Sequence, residues 1–331
     1  MGKNINSYDL VPRILRFDQA DRETRDSISE AQITVSDEDI ASITRLNTEQ
    51  KLAFDIITAH VYNNCRGSFF LDGPGGTGKT FLYKALLADI RSRGFIALAT
   101  ASNGVAASIL PGGRTAHSRF KIPINMDINN MCTISKQSAL AGLLRQAKLI
   151  IWVEAPMMHK TGIEGVDKLL RDLTYTNDLF GDKIIVFGGD FRQVLPVVTK
   201  GSKTDFMHAS LINSYIWPHL HKLQLKQNMR ALADPYFTDY LLRIGDGTES
   251  FVYNNHVQIP KNLLIPYNVE EQSLNELIHA VFPDLKDCSQ EDLSWTNRAI
   301  LTTKNEFVDD INNALIEEFQ AILLNTSAGT K

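Results

Sequence analysis

Short apolar runs alternate along this chain with stretches whose hydrophobic positions recur at helical spacing. Phe69 to Leu71, Phe95 to Ala99, Lys148 to Trp152, Ile184 to Phe187 and Leu223 to Lys226 read as strands. Leu52, Ala53, Ile56, Ile57 and Val61 line one face of a helix that Asn47 or Thr48 can cap. Further helices are expected over Phe81 to Arg91, Val105 to Leu110, Ser135 to Gln146, Ile163 to Leu173 and Tyr236 to Ile244. Short apolar strands alternating with helices predict an α/β fold, a parallel sheet with helices on both faces. Ligands of such sheets gather at the carboxyl ends of the strands. Lys79, Glu154, Gln193 and Arg230 each follow a strand end, and so are expected to converge on one nucleotide.

The first strand runs into a glycine-rich turn, and a helix follows it. Gly73, Pro74, Gly75, Gly76, Thr77, Gly78, Lys79 and Thr80 fit G-x-x-x-x-G-K-S/T, the phosphate-binding loop. The glycines let successive backbone N–H groups face one anion, and the helix adds its positive end. Lys79 reaches the β- and γ-phosphates of such a ligand, and the Thr80 hydroxyl suits Mg2+. Gln50 alone reads as a capping or surface residue near a helix start.

Two other polar stretches follow apolar runs. Thr100-Ala101-Ser102-Asn103-Gly104 leaves a strand for a helix. Arg114 to Lys121, with Thr115, His117, Ser118, Arg119, Phe120 and Lys121, combines positive charge, hydroxyls and one aromatic ring. That mixture suits a phosphate backbone and a stacked base. Composition alone leaves a nucleic-acid contact and a solvated loop evenly matched.

The ends of the chain read differently. Residues 1–45 are polar and mixed in charge, a lead-in with one or two short helices and weak order. From Thr248 to Pro266 the chain is punctuated by proline and reads as a connector. A helix over Glu270 to Val281, a strand over Ala299 to Thr303 and a helix over Asn305 to Phe319 follow, and Asn325 to Lys331 is a polar tail. The last strand and helix make one β-α unit of a second sheet.

Across 331 residues the net charge is -4, with 44% hydrophobic and 22% charged residues. These values fit a globular chain and argue against a generally basic coat, while a local basic groove stays open. Cys65, Cys132 and Cys288 show no zinc spacing and read as reduced thiols. No apolar run reaches membrane-spanning length.

Taken together, LNTEQKLAF, GPGGTGKT, ATASNGVAA, GGRTAHSRFKIP, LIIWVEAPM, GGDFRQVLPVV, LKQNMR and RAILTTKNEFVDDIN resemble the Pif (petite integration frequency) family of DNA helicases, in a plant- or transposon-like version. The resemblance runs roughly from Leu46 to Phe319. It implies an ATP-driven motor moving 5′-to-3′ on single-stranded DNA. It also implies action on DNA junctions or duplex, in repair, recombination and telomere maintenance, in the nucleus or alternatively the mitochondrion. Two RecA-like P-loop NTPase domains are implied, the first over 46–247 with a small DNA-contacting insertion near 111–133. A connector over 248–298 and an incomplete second domain over 299–331 follow. Gln50 would read adenine, Gly73 to Thr80 would hold the phosphates and Thr80 the Mg2+. Glu154 would activate water, Gln193 would sense the γ-phosphate and Arg230 would act as an arginine finger. Thr100, Ser102 and Asn103, with Thr115 to Lys121, would touch single-stranded DNA.

Two departures from the family pattern bear on activity. Val153 stands where the family has Asp before Glu154, and valine offers no oxygen to a hard cation. The chain also stops before the family's remaining second-domain motifs. The resulting expectation is nucleotide binding with very low ATPase activity. The alternative to a working helicase is a degenerate or truncated relative that binds nucleotide, with or without single-stranded DNA, and does not turn it over.

Overall fold

The computed structural model describes residues 24–25, 28–30, 32–123, 132–253, 256–267, 269–283 and 297–328. Residues 124–131 of the insertion expected near 111–133, Cys288 and the end of the tail lie outside them. The chain divides into two compact units, Met1–Glu249 and Ser250–Lys331.

In the first unit the apolar runs form one sheet. Its strands are β1 (Ser68–Asp72), β2 (Ala97–Ala101), β3 (Arg114–Thr115), β4 (Leu149–Val153), β5 (Ile184–Gly189) and β6 (His221–Gln224). All pair in parallel, in the order β3-β2-β4-β5-β1-β6. Parallel strands buried on both faces need apolar residues at every position. Alternate side chains accordingly enter two separate cores. Phe70, Leu98, Ile150, Trp152, Ile185 and Phe187 face one. Phe69, Leu71, Ala99, Ile151, Val153 and Val186 face the other. Burying each large side chain contributes about 1.5–3 kcal/mol.

Helices cover both faces. With α1 as Asp37–Ser42, the second core is closed by α2 (Thr48–Tyr62) and α3 (Lys79–Ser92). After the short α4 (Gly104–Ser108) and α5 (Ala116–Phe120), the first core is closed by α6 (Ala139–Gln146) and α7 (Lys160–Thr174). Then α8 (Lys203–Ala209) precedes β6, and α9 (Pro235–Gly245) follows it. Register places Asp72 beside Gly189 and Val153 beside Gly188. The residues that follow β1, β4 and β5 therefore share one rim.

Several boundaries differ from expectation. β2 begins at Ala97, because Phe95 lies outside the sheet and is 41% exposed. β6 begins at His221, on the sheet edge, where one neighbour is enough. Of the lead-in, expected to be weakly ordered, the described residues include α1, which Ser36 caps and which packs on α3, and the buried Glu30. In the second unit the expected connector carries a short antiparallel pair, β7 (Phe251–Tyr253) with β8 (His256–Val257). Helices α10 (Glu270–Val281) and α11 (Asn305–Ala328) follow. The strand expected at Ala299–Thr303 is not formed: these residues carry no sheet pairing, and Leu301 is 92% exposed. An apolar run becomes a strand only where a neighbour supplies the hydrogen-bond ladder.

Candidate nucleotide site and nucleic-acid face

The loop Gly73–Thr80 leaves β1 and enters α3 through two glycines with positive φ, Gly76 at 88° and Gly78 at 77°. Both are also sterically required. A Cβ on Gly76 would lie 2.5 Å from Asn228 Oδ1, and one on Gly78 would lie 2.4 Å from Gln50 Nε2. Thr77 is fully buried, and its hydroxyl donates to the Pro74 carbonyl at 2.9 Å. The Lys79 ammonium donates to the Gly73 and Pro74 carbonyls.

Gln50 closes the loop from the other side. Its Oε1 accepts from the Asn47 N–H at 3.0 Å, completing a capping box at the start of α2. Its Nε2 donates to the Thr77 carbonyl at 3.0 Å. The side chain is 2% exposed, so Gln50 is both a cap and a wall of the loop.

Glu154 and Gln193 stand on the same rim. Glu154 follows β4 in a left-handed conformation (φ 56°, ψ 40°), which costs a residue with a side chain about 1 kcal/mol or more. Burial pushes its carboxyl above the usual carboxylate range; the Lys79 charge opposes this and Asp190 adds to it. Burial pushes the Lys79 ammonium below its ordinary range, against the pull of Asp190, Glu154 and Asp72. Gln193 Nε2 donates to Asp190 Oδ2 at 3.2 Å, and it lies 3.8 Å from where a Cβ on Gly75 would sit. Arg230 is exposed, and its Cβ lies 3.1 Å from a Cβ built on Gly76. The four residues expected to converge thus lie around one loop.

Among the described residues, no group of three or more His, Cys, Asp or Glu could hold a metal ion. Magnesium carried by a nucleotide asks less of the protein, usually one or two oxygens beside phosphates and water. The Thr80 hydroxyl, at the start of α3, offers one such oxygen. Val153 does not, since it is 4% exposed within the apolar core. Next to it, over Gly188, lies the buried Tyr83 hydroxyl, which has no hydrogen-bond partner.

The nucleic-acid expectations divide. His117 and Ser118 are exposed, and Ser102, Asn103, Thr115 and Lys121 are half-buried. Three others are corrected. Thr100 lies inside β2 with no exposed surface. Phe120 is fully buried and stacks on Trp152, with ring centroids 5.4 Å apart. Arg119 is 2% exposed and paired with Glu30. A single helical turn sends Ala116 and Phe120, four residues apart, to the same inward face. Their side chains, and that of Arg119, are unavailable to DNA.

A family model described as "PIF1-like helicase" matches residues 45–255. The chain belongs to the PIF1-like helicase family. The ATP-dependent DNA helicase Pif1 of Campylobacter jejuni is 26% identical over 271 residues, covering 79% of this chain and 54% of that protein. The human ATP-dependent DNA helicase PIF1 is 34% identical over 138 residues, 41% of this chain and 21% of that protein. The fold is similar to that of Bacteroides Pif1 in complex with ADP-AlF3 and single-stranded DNA, with a TM-score of 0.56 and 21% identity over 79% of this chain and 56% of that one. The chain spans about half the length, or less, of these relatives.

Within this PIF1-like site, three residues escaped the sequence reading. Asn228 donates to the Gly75 carbonyl at 3.4 Å and accepts from the backbone N–H groups of Arg230 and Ala231. Glu49 accepts from the N–H groups of Lys226 and Gln227. Asp190, 4% exposed, accepts from Gln193 and from Arg192, whose Nε also donates to Asp246 at 2.6 Å. Only Asp190, at a strand end, carried a readable signal.

Proposed function

We propose that this chain is the nucleotide-binding part of an ATP-dependent DNA helicase that moves 5′-to-3′ on single-stranded DNA. The observation that carries this reading is the shared rim, where Lys79, Glu154, Gln193 and Arg230 surround the loop Gly73–Thr80. The loop's N–H groups and Lys79 bind the phosphates, for which Lys79 must leave the Gly73 and Pro74 carbonyls. Gln50, 2% exposed here, would reach the base with the remaining N–H and lone pair of its amide once the loop opens around the nucleotide. Glu154, with its raised proton affinity, takes the proton of the attacking water. Gln193 reports the γ-phosphate, and Arg230 offsets developing charge, a contribution worth roughly 10³–10⁵ in turnover where such fingers act. Mg2+ arriving with the nucleotide would be held by Thr80 and would neutralise phosphate charge.

Single-stranded DNA is read by Ser102, Asn103, Thr115, His117, Ser118 and Lys121. The work is genome maintenance on junctions or duplex, in the nucleus or the mitochondrion. The GRTAHSRFKIP and GGDFRQVLPV stretches separate the family from other phosphate-loop enzymes, and within the family the chain reads as a plant- or transposon-like member. A second reading, nucleotide binding without turnover, is favoured by one observation: Val153 is buried among apolar side chains where the family has an acid. The test is phosphate release with and without oligo-dT, for the parent and for Lys79→Ala. DNA-stimulated release lost in Lys79→Ala supports the motor. Binding of nucleotide with no release supports the second reading, and no nucleotide binding at all refutes both.

A further inference from the structure

The turn that carries the exposed DNA-facing side chains is anchored from beneath by a distant acidic residue. Arg119 points inward from α5, where its Nη2 lies 2.5 Å from Glu30 Oε1. The same nitrogen donates to the carbonyls of Gly112 at 3.2 Å and Ala99 at 3.4 Å. Arg114 Nε lies 3.6 Å from the same Glu30 oxygen. The Glu30 and Arg119 side chains are 3% and 1% exposed. Arg91, on α3, bridges the Ala97 and Pro111 carbonyls. Burial pushes its guanidinium down to about 10, with the Glu30 charge opposing and Arg119 adding. Three guanidinium groups thus feel one carboxylate. Ile33, three residues beyond Glu30, packs so closely on Gly112 that a Cβ there would sit 2.3 Å from its Cδ1.

We propose that Glu30 is a positioning residue for single-strand binding: from the lead-in segment it clasps Arg119 beneath α5 and so holds His117, Ser118 and Lys121 at the surface. This rests on the DNA reading above. A five-residue helix has no stability of its own, so its geometry must come from anchors such as this one. Removing only the carboxylate strands a guanidinium in a buried site, and the turn opens to hydrate it. The sign of the effect is diagnostic. Deleting a negative charge near a polyanion site should tighten binding by electrostatics alone. The clasp predicts weaker binding.

The test uses the full chain as parent, as Glu30→Gln, and as Glu30→Gln with Arg119→Met, which removes both charges. Amide exchange is followed over 114–122 and over β4, and oligo-dT affinity is read by anisotropy. In Glu30→Gln, exchange over 114–122 should rise by about tenfold or more with β4 unchanged. Oligo-dT affinity should fall by about tenfold. The double variant should recover most of both, since it strands neither member of the pair as a buried unpaired charge. Unchanged exchange over 114–122 in Glu30→Gln, or oligo-dT binding as tight as the parent's, overturns the clasp. A parent that binds no oligo-dT overturns the DNA reading and the purpose assigned to Glu30, while exchange still decides whether the anchor exists. Should Glu30→Gln fail to fold, a folded double variant supports the pair, and an unfolded one refutes it.

Discussion

Val153→Asp supplies the acid that the resemblance implies before Glu154, and the structure sets what that costs and returns. Val153 is 4% exposed and pairs in register with Ala101 and Gly188. Losing the buried valine forfeits up to about 1.5–3 kcal/mol. Placing a carboxylate in the same space costs several kcal/mol more. Neighbouring strands lie roughly 4.8 Å apart, and the Tyr83 hydroxyl sits over Gly188 without a partner. That hydroxyl can donate to the new carboxylate, and a hydrogen bond to a charged group returns about 1.5–3 kcal/mol. The valine loss and the hydrogen-bond return nearly cancel, so the expected net loss without ligand is several kcal/mol, at about 2–4 °C in Tm per kcal/mol for a unit of this size. Magnesium with ADP should offset part of this loss, because a recovered supporting group is worth roughly 10–100-fold in metal affinity. Calorimetry of ADP binding with and without magnesium reads this directly, and thermal scans read the stability side. Val153→Asn is the control: equally polar, it should lose stability without gaining magnesium dependence. Magnesium and ADP binding in Val153→Asp no tighter than the parent's, or an equal gain in Val153→Asn, would refute a magnesium role for this position.

Four further outcomes follow from the same rim and its neighbour. Lys79→Ala should abolish nucleotide binding in calorimetry while leaving the melting temperature nearly unchanged, since Lys79 bonds only loop carbonyls. Glu154→Gln should abolish turnover and raise Tm near pH 7. Burial raises the folded carboxyl's proton affinity, so its ionisation costs stability as pH rises through the window above the ordinary value. The advantage of the glutamine should therefore vanish as pH falls below the ordinary carboxylate range, and a pH-independent difference would contradict this. Replacing His117 and Lys121 by Ala should weaken oligo-dT binding and flatten its salt dependence, by about 0.7 in log–log slope for each phosphate no longer neutralised. Arg119→Ala should instead lower Tm, by up to the equivalent of about 3–5 kcal/mol, because it takes from the buried Glu30 its closest partner and leaves only the longer contact with Arg114.

What could be read from the sequence follows from where each signal resides. β4 and β5 are bounded apolar runs whose every residue is buried, so composition alone marks them. The phosphate loop is legible because its chemistry is local, fixed by glycines within eight residues. Arg119 and Phe120 misled, because charge and aromaticity were weighed as surface properties. The four-residue spacing of Ala116 and Phe120, which marks an inward face, was the better signal. Ala299–Thr303 misled for the opposite reason: its apolarity is real, but strand formation depends on a neighbour that no local pattern reveals. Asn228 and Glu49 could not be found at all, because each acts through backbone groups of segments distant in sequence.

The double engagement of Gln50 limits how this site can change over evolutionary time. One amide ends the first turn of α2 through Asn47 and holds the Thr77 carbonyl in place. A substitution that altered base preference at this position would at once loosen a helix start and free a buried carbonyl beside the phosphates. Neither loss is repaired by a better fit to a different base. Under the proposed base contact, a change at Gln50 therefore disturbs the loop as well, and a compensating change at Asn47 or in the loop itself eases its path.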